Sequence, residues 1–231
     1  MTKRMIEYWV IPPEADAEFV ANMEEVLDVY ERPYDRDYPV VCMDEQPVQL
    51  LKETRVPIKA TKEHARRVDY EYERNGTASI FMFAEPLAGY RQATARRQRT
   101  KVDWALEVGN LLDTRYADCE WITLVMDNLN THTKGAFNNA FPPEQARSSI
   151  RRIECCFTPK HGSWLNIAEC ELSCMTSQCL RGRRIGALDL LQTEIKAWSE
   201  KTTIKQRGVD WRVEIENARQ KLKRLYPIIK T

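Results

Sequence analysis

Thr158-Pro159-Lys160-His161-Gly162-Ser163-Trp164-Leu165-Asn166-Ile167-Ala168-Glu169-Cys170-Glu171-Leu172-Ser173 is the stretch on which the reading turns. Pro159 and Gly162 punctuate a short rigid loop. Ser163 stands where a helix N-cap belongs, ahead of an apolar run, which puts Glu169 in the second turn of the helix. Immediately upstream, Ile153 to Phe157 is a short apolar strand. A strand, a tight loop and a helix bearing a carboxylate near its start need partner groups from elsewhere in the chain.

Two other carboxylates occupy similar positions. Val40 to Met43 is wholly apolar, as a central strand is, and is followed by Asp44 and Glu45. Trp121 to Met126 is a second buried strand, followed by Asp127 and Asn128. Both read as apolar strands closed by an aspartate. Carboxylates gathered without a basic partner repel one another unless a cation lies between them, and hard oxygen ligands select Mg²⁺ or Mn²⁺ over zinc.

The rest of the chain frames these strands. Residues 14–31 form an amphipathic helix preceded by Pro12-Pro13, with Phe19, Met23, Val26, Leu27 and Tyr30 on one face. Residues 66–73 alternate like a half-exposed strand. Asn75-Gly76 signals a hairpin whose return strand is Thr77 to Phe83. Thr100 caps a helix reaching about Tyr116, residues 130–139 are loop-like, and a helix spans Pro143 to Arg151. Further helices follow from Trp164, over Ala187 to Glu200, and over Val213 to Leu225.

Composition closes off several classes. The 231 residues are 43% hydrophobic and 30% charged, with a formal net charge of +1. That suits a globular domain, and any nucleic-acid footprint must be local. No apolar run nears the ~20 residues of a membrane span, and Met1 to Glu7 lacks the core of a leader, so the cytosol is the default compartment. Seven cysteines without a CxxC pair, beside three histidines, read as reduced thiols. Basic residues concentrate in one segment, where Arg91, Arg96, Arg97, Arg99 and Lys101 fall within eleven residues that hold no acid. Such a segment suits contact with a phosphate backbone.

Val41-Cys42-Met43-Asp44-Glu45, Leu124 to His132 and Thr158 to Glu169 together resemble the three motif blocks of the IS630 transposases, of the Tc1/mariner superfamily. The resemblance runs from about residue 8 to Pro227. It implies an α/β fold, the RNase H-like (retroviral integrase-type) mixed five-stranded sheet with flanking helices. It implies that Asp44, Asp127 and Glu169 are the catalytic DDE triad and hold two Mg²⁺ or Mn²⁺ ions. Helical periodicity alone does not choose between Glu169 and Glu171; the Asn-x-x-Glu match selects Glu169. The role of Glu45 stays open.

The implied partners are double-stranded DNA, as transposon ends and target, and further copies of the chain in a synaptic homo-oligomer. The implied chemistry is phosphodiester hydrolysis at the element end, then 3′-OH strand transfer into target DNA at a TA dinucleotide. Under it, Arg91, Arg96, Arg97, Arg99, Lys101, Lys160 and His161 become DNA contacts, and Asn128 and His132 support the triad. The implied setting is the bacterial cytoplasm, on the nucleoid when bound to DNA. The expected organisation is a linker helix region at 1–36 without an N-terminal helix-turn-helix domain, a catalytic domain at 37–183 and a helical extension at 184–231. The 41 residues between Asp127 and Glu169 exceed the interval usual for the group. Two other readings are a nuclease that only hydrolyses and a non-catalytic remnant that binds DNA or a partner.

Overall fold

The computed structural model describes residues 11–228 apart from Pro13. The Met1–Glu7 stretch read for a leader and the second proline of Pro12-Pro13 lie outside them. The strands are β1 (Val40–Glu53), β2 (Tyr72–Glu85), β3 (Tyr90–Arg96), β4 (Ile122–Met126) and β5 (Ile153–Phe157). They make one mixed sheet in the order β3-β2-β1-β4-β5. The β1–β2 and β2–β3 pairs are antiparallel, and β4 and β5 add in parallel beside β1. This is the mixed five-stranded sheet expected from the sequence.

Side chains alternate between the two faces of each strand, and the core divides accordingly. Cys42, Ile80, Met82, Val125 and Cys156 point to one face. There they meet α1 (Ala17–Glu31), α5 (Ile167–Met175), α6 (Leu188–Thr203) and α7 (Ile215–Lys221). Val41, Met43, Phe81, Phe83, Leu124 and Met126 point to the other. That face is covered by α2 (Lys101–Asp113), α3 (Gly135–Ala140) and α4 (Pro143–Arg151). Both faces are buried, which is why the central strands read as continuous apolar runs.

Several local expectations change. β1 does not end at Asp44 but continues to Glu53, paired with β2 throughout. Only its partner β4 stops, so beyond Cys42 one side of β1 is open. Pro47, which has no N–H to donate, is tolerated in a strand paired on one side. Asn75-Gly76 is no hairpin turn: β2 runs straight through it, and the pairing slips by one residue opposite Leu50. Gly76, at φ +89°, forms a bulge there, and the β1–β2 connection is the longer segment 54–71. Residues 66–71 stay outside the sheet, and Arg67 makes an isolated antiparallel bridge to Ile58 in the same connection. Residues 135–140, read as loop, form α3.

The described parts of 11–36 and 184–228 are built into the same core. Tyr30 packs its ring on Trp211 at 4.7 Å, and Arg219 and Tyr226 both bond Glu24. All seven cysteines are unbonded thiols.

Candidate active site

Asp44 lies on β1 just past the point where β4 stops, facing the α5 side of the sheet with Cys42. Asp127 follows Met126 directly, so it emerges from the end of β4 beside the open flank of β1. The loop 158–166 brings the third carboxylate. Gly162 N–H donates to the Pro159 carbonyl at 2.8 Å, closing a tight turn with His161 at φ +65°. A Cβ on residue 162 would sit 2.5 Å from Pro159 Cγ, so only glycine fits the turn.

The helix cap corrects the sequence reading. Ser163 begins a 3₁₀ turn, and the N-cap of α5 is Asn166. Its Oδ1 accepts from Ala168 N–H at 3.1 Å, and its Nδ2 donates to the Met43 carbonyl at 2.9 Å. One buried side chain thus starts the helix and bolts it to β1 next to Asp44. Glu169 falls in the first turn, and it is exposed. Tyr30 O–H adds a second tie, from α1 to the Leu165 carbonyl at 2.7 Å.

These supports place three carboxylates at one end of the sheet. Burial pushes the Asp44 carboxyl up to about 6; its own neighbour's N–H (Glu45, 2.7 Å) pulls it down, and the charges of Asp127, Glu169 and Glu45 push it up again. Asp127 Oδ1 is buried without an aligned donor. Among the described residues, no three His, Cys, Asp or Glu side chains are already drawn in to ligand distance around one point. The donor set still fits a hard divalent cation: oxygen ligands only, and mutually repelling.

Glu171, two residues on, turns the other way. Arg91 grips it through Nε at 2.9 Å and Nη2 at 2.7 Å, and also donates to the carbonyls of Gly89 and Arg207. Both side chains are buried. Arg91 is therefore a bolt between β3 and α5, and its guanidinium has no face left for a phosphate. The first part of the basic segment, 91–96, is strand β3. Arg96 is paired with Glu107 and Asp103 of α2, acids the segment itself lacks. Arg97, Arg99 and Lys101 are exposed, as are Lys160 and His161 in the Pro159–Gly162 turn.

His132 is buried, and Asn128 is exposed beside Asp127. The ring directs Nδ1 at the Asp127 carbonyl (3.1 Å), with Oδ1 of the same residue 2.9 Å away, and Nε2 lies 3.1 Å from Glu45 Oε1. Burial opposes the charged ring, but hydrogen bonds to Asp127 and Glu45 outweigh it and raise its pKa to about 9. Glu45 was the residue without a role in the sequence. The two-residue strand repeat was its signal, since it sends Glu45 to the opposite face from Asp44.

The interval between Asp127 and Glu169 is filled by α3, α4 and β5, so its length is helix rather than loose loop. The sequence profile of the DDE superfamily endonucleases matches residues 39–192, two-thirds of the chain. The chain belongs to this DDE endonuclease family. Solved structures agree in fold. The Mos1 mariner paired end complex with Mn matches with a TM-score of 0.52 at 12% identity, over 97% of this chain and 64% of that one. The Mos1 strand transfer complex matches at 0.55 and 12%, over 89% and 63%. The catalytic domain of Mos1 mariner transposase matches at 0.51 and 11%, over 85% and 92%. The DDE endonuclease chain thus spans under two-thirds of the first two relatives, and its fold is the RNase H-like one. A search of curated proteins found no match. No helix among the described residues is long and apolar enough to cross a membrane.

Proposed function

We propose that this DDE endonuclease is the catalytic part of an IS630-like transposase, acting on double-stranded DNA as a homo-oligomer. The supporting observation is the convergence of Asp44, Asp127 and Glu169 from a strand, a strand end and a helix start, close enough that the charges of Asp127 and Glu169 act on Asp44. Asp44, Asp127 and Glu169 would hold the metal, two Mg²⁺ or Mn²⁺ ions. Mos1 paired end complexes with Mn and with Mg are in keeping with this choice. Bound divalent ions supply charge neutralisation at the phosphate and activation of the attacking oxygen.

The protein's own residues do the positioning. Asn166 and the Pro159–Gly162 turn set Glu169 against β1. Asn128, Lys160 and His161, exposed next to Asp127 and in the turn before Glu169, would meet the DNA or support the triad, and Arg97, Arg99 and Lys101 would extend a basic track from the end of β3. The reaction is hydrolysis at the element end followed by attack of the freed 3′-OH on target DNA, with TA as the target dinucleotide. The regions 1–36, 37–183 and 184–231 serve as linker helix region, catalytic domain and helical extension, and the work is done in the cytoplasm on nucleoid DNA.

The test is nicking and joining of end-bearing DNA with Mg²⁺ or Mn²⁺. Asp127→Asn should lose roughly 100-fold or more in nicking, from several kcal/mol of lost metal stabilisation, while still binding DNA. Equal nicking by both proteins would remove the triad assignment. Nicks without joined products would favour a hydrolytic nuclease.

A further inference from the structure

His132 and Glu45 are paired outside the three carboxylates, both buried. Both side chains are 1% exposed, deep under α2, with the Trp104 ring 5.5 Å from the imidazole. Burying a carboxylate and an imidazole together is costly unless each is well satisfied. Here it is only partly so, because Glu45 Oε2 has no donor. A purely structural site would be better served by apolar side chains of the same volume.

The geometry accounts for the arrangement. Each ring nitrogen faces only acceptors: Glu45 Oε1 on one side, the main-chain oxygen and Oδ1 of Asp127 on the other. Nδ1, facing a carbonyl, must carry an N–H, and the ring shares a proton with Glu45 across Nε2. One end is anchored on the β1 strand. The other is bonded to the main-chain oxygen of Asp127 and lies 2.9 Å from its Oδ1, an ion-pair contact. The Asp127 side chain is 39% exposed while Oδ1 is buried, which leaves Oδ2 as the oxygen facing the site. The turn from Asp127 to His132 is short and closed by His132 N–H to the Leu129 carbonyl at 3.0 Å, so the ring returns onto the residue that starts it.

We infer that His132, anchored by Glu45, is a positioning residue that fixes the carboxylate of Asp127 for metal binding. The inference rests on the metal-site reading above. Glu45 acts from the opposite face of the sheet, through the ring, and need not touch the metal.

Mn²⁺ binding to the full chain, followed by loss of the free-ion electron paramagnetic resonance signal, reads this directly and without turnover. His132→Ala and Glu45→Leu should each weaken Mn²⁺ binding by about 10- to 100-fold, the usual effect of removing a partner of a metal ligand. His132→Asn keeps an N–H near the Nδ1 position and should recover most of the loss, although it cannot reach Glu45. It also carries the test if His132→Ala does not fold. Wild-type affinity in His132→Ala or Glu45→Leu overturns the inference, and so does a His132→Asn protein as weak as His132→Ala, since packing alone would then explain the ring. Asp127→Asn separates the levels. If it alone loses Mn²⁺, the metal site stands and the positioning role falls; if it binds like wild type, both fall.

Discussion

At the scale of single residues, the same charge type has opposite fates. Arg91 and Arg99 come from one basic segment, yet Arg91 is sealed against Glu171 and Arg99 is in solvent. Removing one partner of a buried pair strands the other, at about 3–5 kcal/mol, whereas surface changes stay within about 0.5 kcal/mol. Arg91→Met should therefore lower unfolding stability by an amount in the first range, measured by urea titration, with Arg91→Met/Glu171→Leu recovering much of it. Arg99→Ala should leave stability alone and reduce the salt dependence of DNA binding by close to one counterion. An unstable Arg99→Ala, or an unaffected Arg91→Met, would reverse these assignments. Glu169 and Glu171 divide in the same way, one exposed and the other committed to Arg91.

At the scale of elements, side chains do work that backbone pairing leaves undone. The outer edge of β3 would be a template for another strand, but α6 closes it. Thr203 Oγ1 accepts from Arg91 N–H and donates to its carbonyl, both at 3.0 Å. Ser199 Oγ accepts from Ala93 N–H, and Gln192 Nε2 donates to the Ala95 carbonyl. Gln192→Ala/Ser199→Ala/Thr203→Ala should lose about 1–3 kcal/mol for each stranded buried group and self-associate with rising concentration in sedimentation runs. A stable, monomer-like triple variant would mean the edge needs no cover. Asn166 has a comparable double duty. Asn166→Asp keeps the cap but turns a donor into an acceptor facing the Met43 carbonyl. It should keep helix content by circular dichroism and lose nicking activity, while Asn166→Ala should also lose about 1 kcal/mol of stability. Full activity in Asn166→Asp would show that the tie to β1 does not place Glu169.

At the scale of the whole molecule, the first described helix and the last described segment are parts of one core. Asp16 N–H donates to the Leu225 carbonyl at 2.9 Å, and Val209 N–H to the Pro86 carbonyl at 2.8 Å, so the strap after α6 binds both the β2–β3 turn and α1. Gly89 lets it pass, since a Cβ there would meet the Gln206 carbonyl carbon at 2.6 Å. Deleting residues 204–231 uncovers Tyr30, Val29 and Ile167. The truncated chain should lose its cooperative thermal transition rather than merely shift it. A sharp transition in that protein would show that the sheet and its other helices stand alone.

The strands β4 and β5, helix α4 and the Thr100 cap were legible in the sequence because each rests on local chemistry: an apolar run, a helical repeat, a hydroxyl before a helix. Asp44, Asp127 and Glu169 were singled out through motif blocks, and they are the proposed triad. The Asn75-Gly76 bulge was not, because the dipeptide suits either a turn or a bulge and only the partner strand decides. The end of β1 was not, because a strand continues as long as a neighbour offers hydrogen bonds. Nor was the burial of Arg91, since its acid lies 80 residues away on α5. By itself the sequence determined which carboxylates stand at the ends of apolar runs and in the motif blocks. The tertiary structure decided which of Glu169 and Glu171 is free, and that Glu45 reaches Asp127 through His132. Those choices depend on contacts between segments far apart in the chain, and a charge has no fixed role until its burial and partner are set.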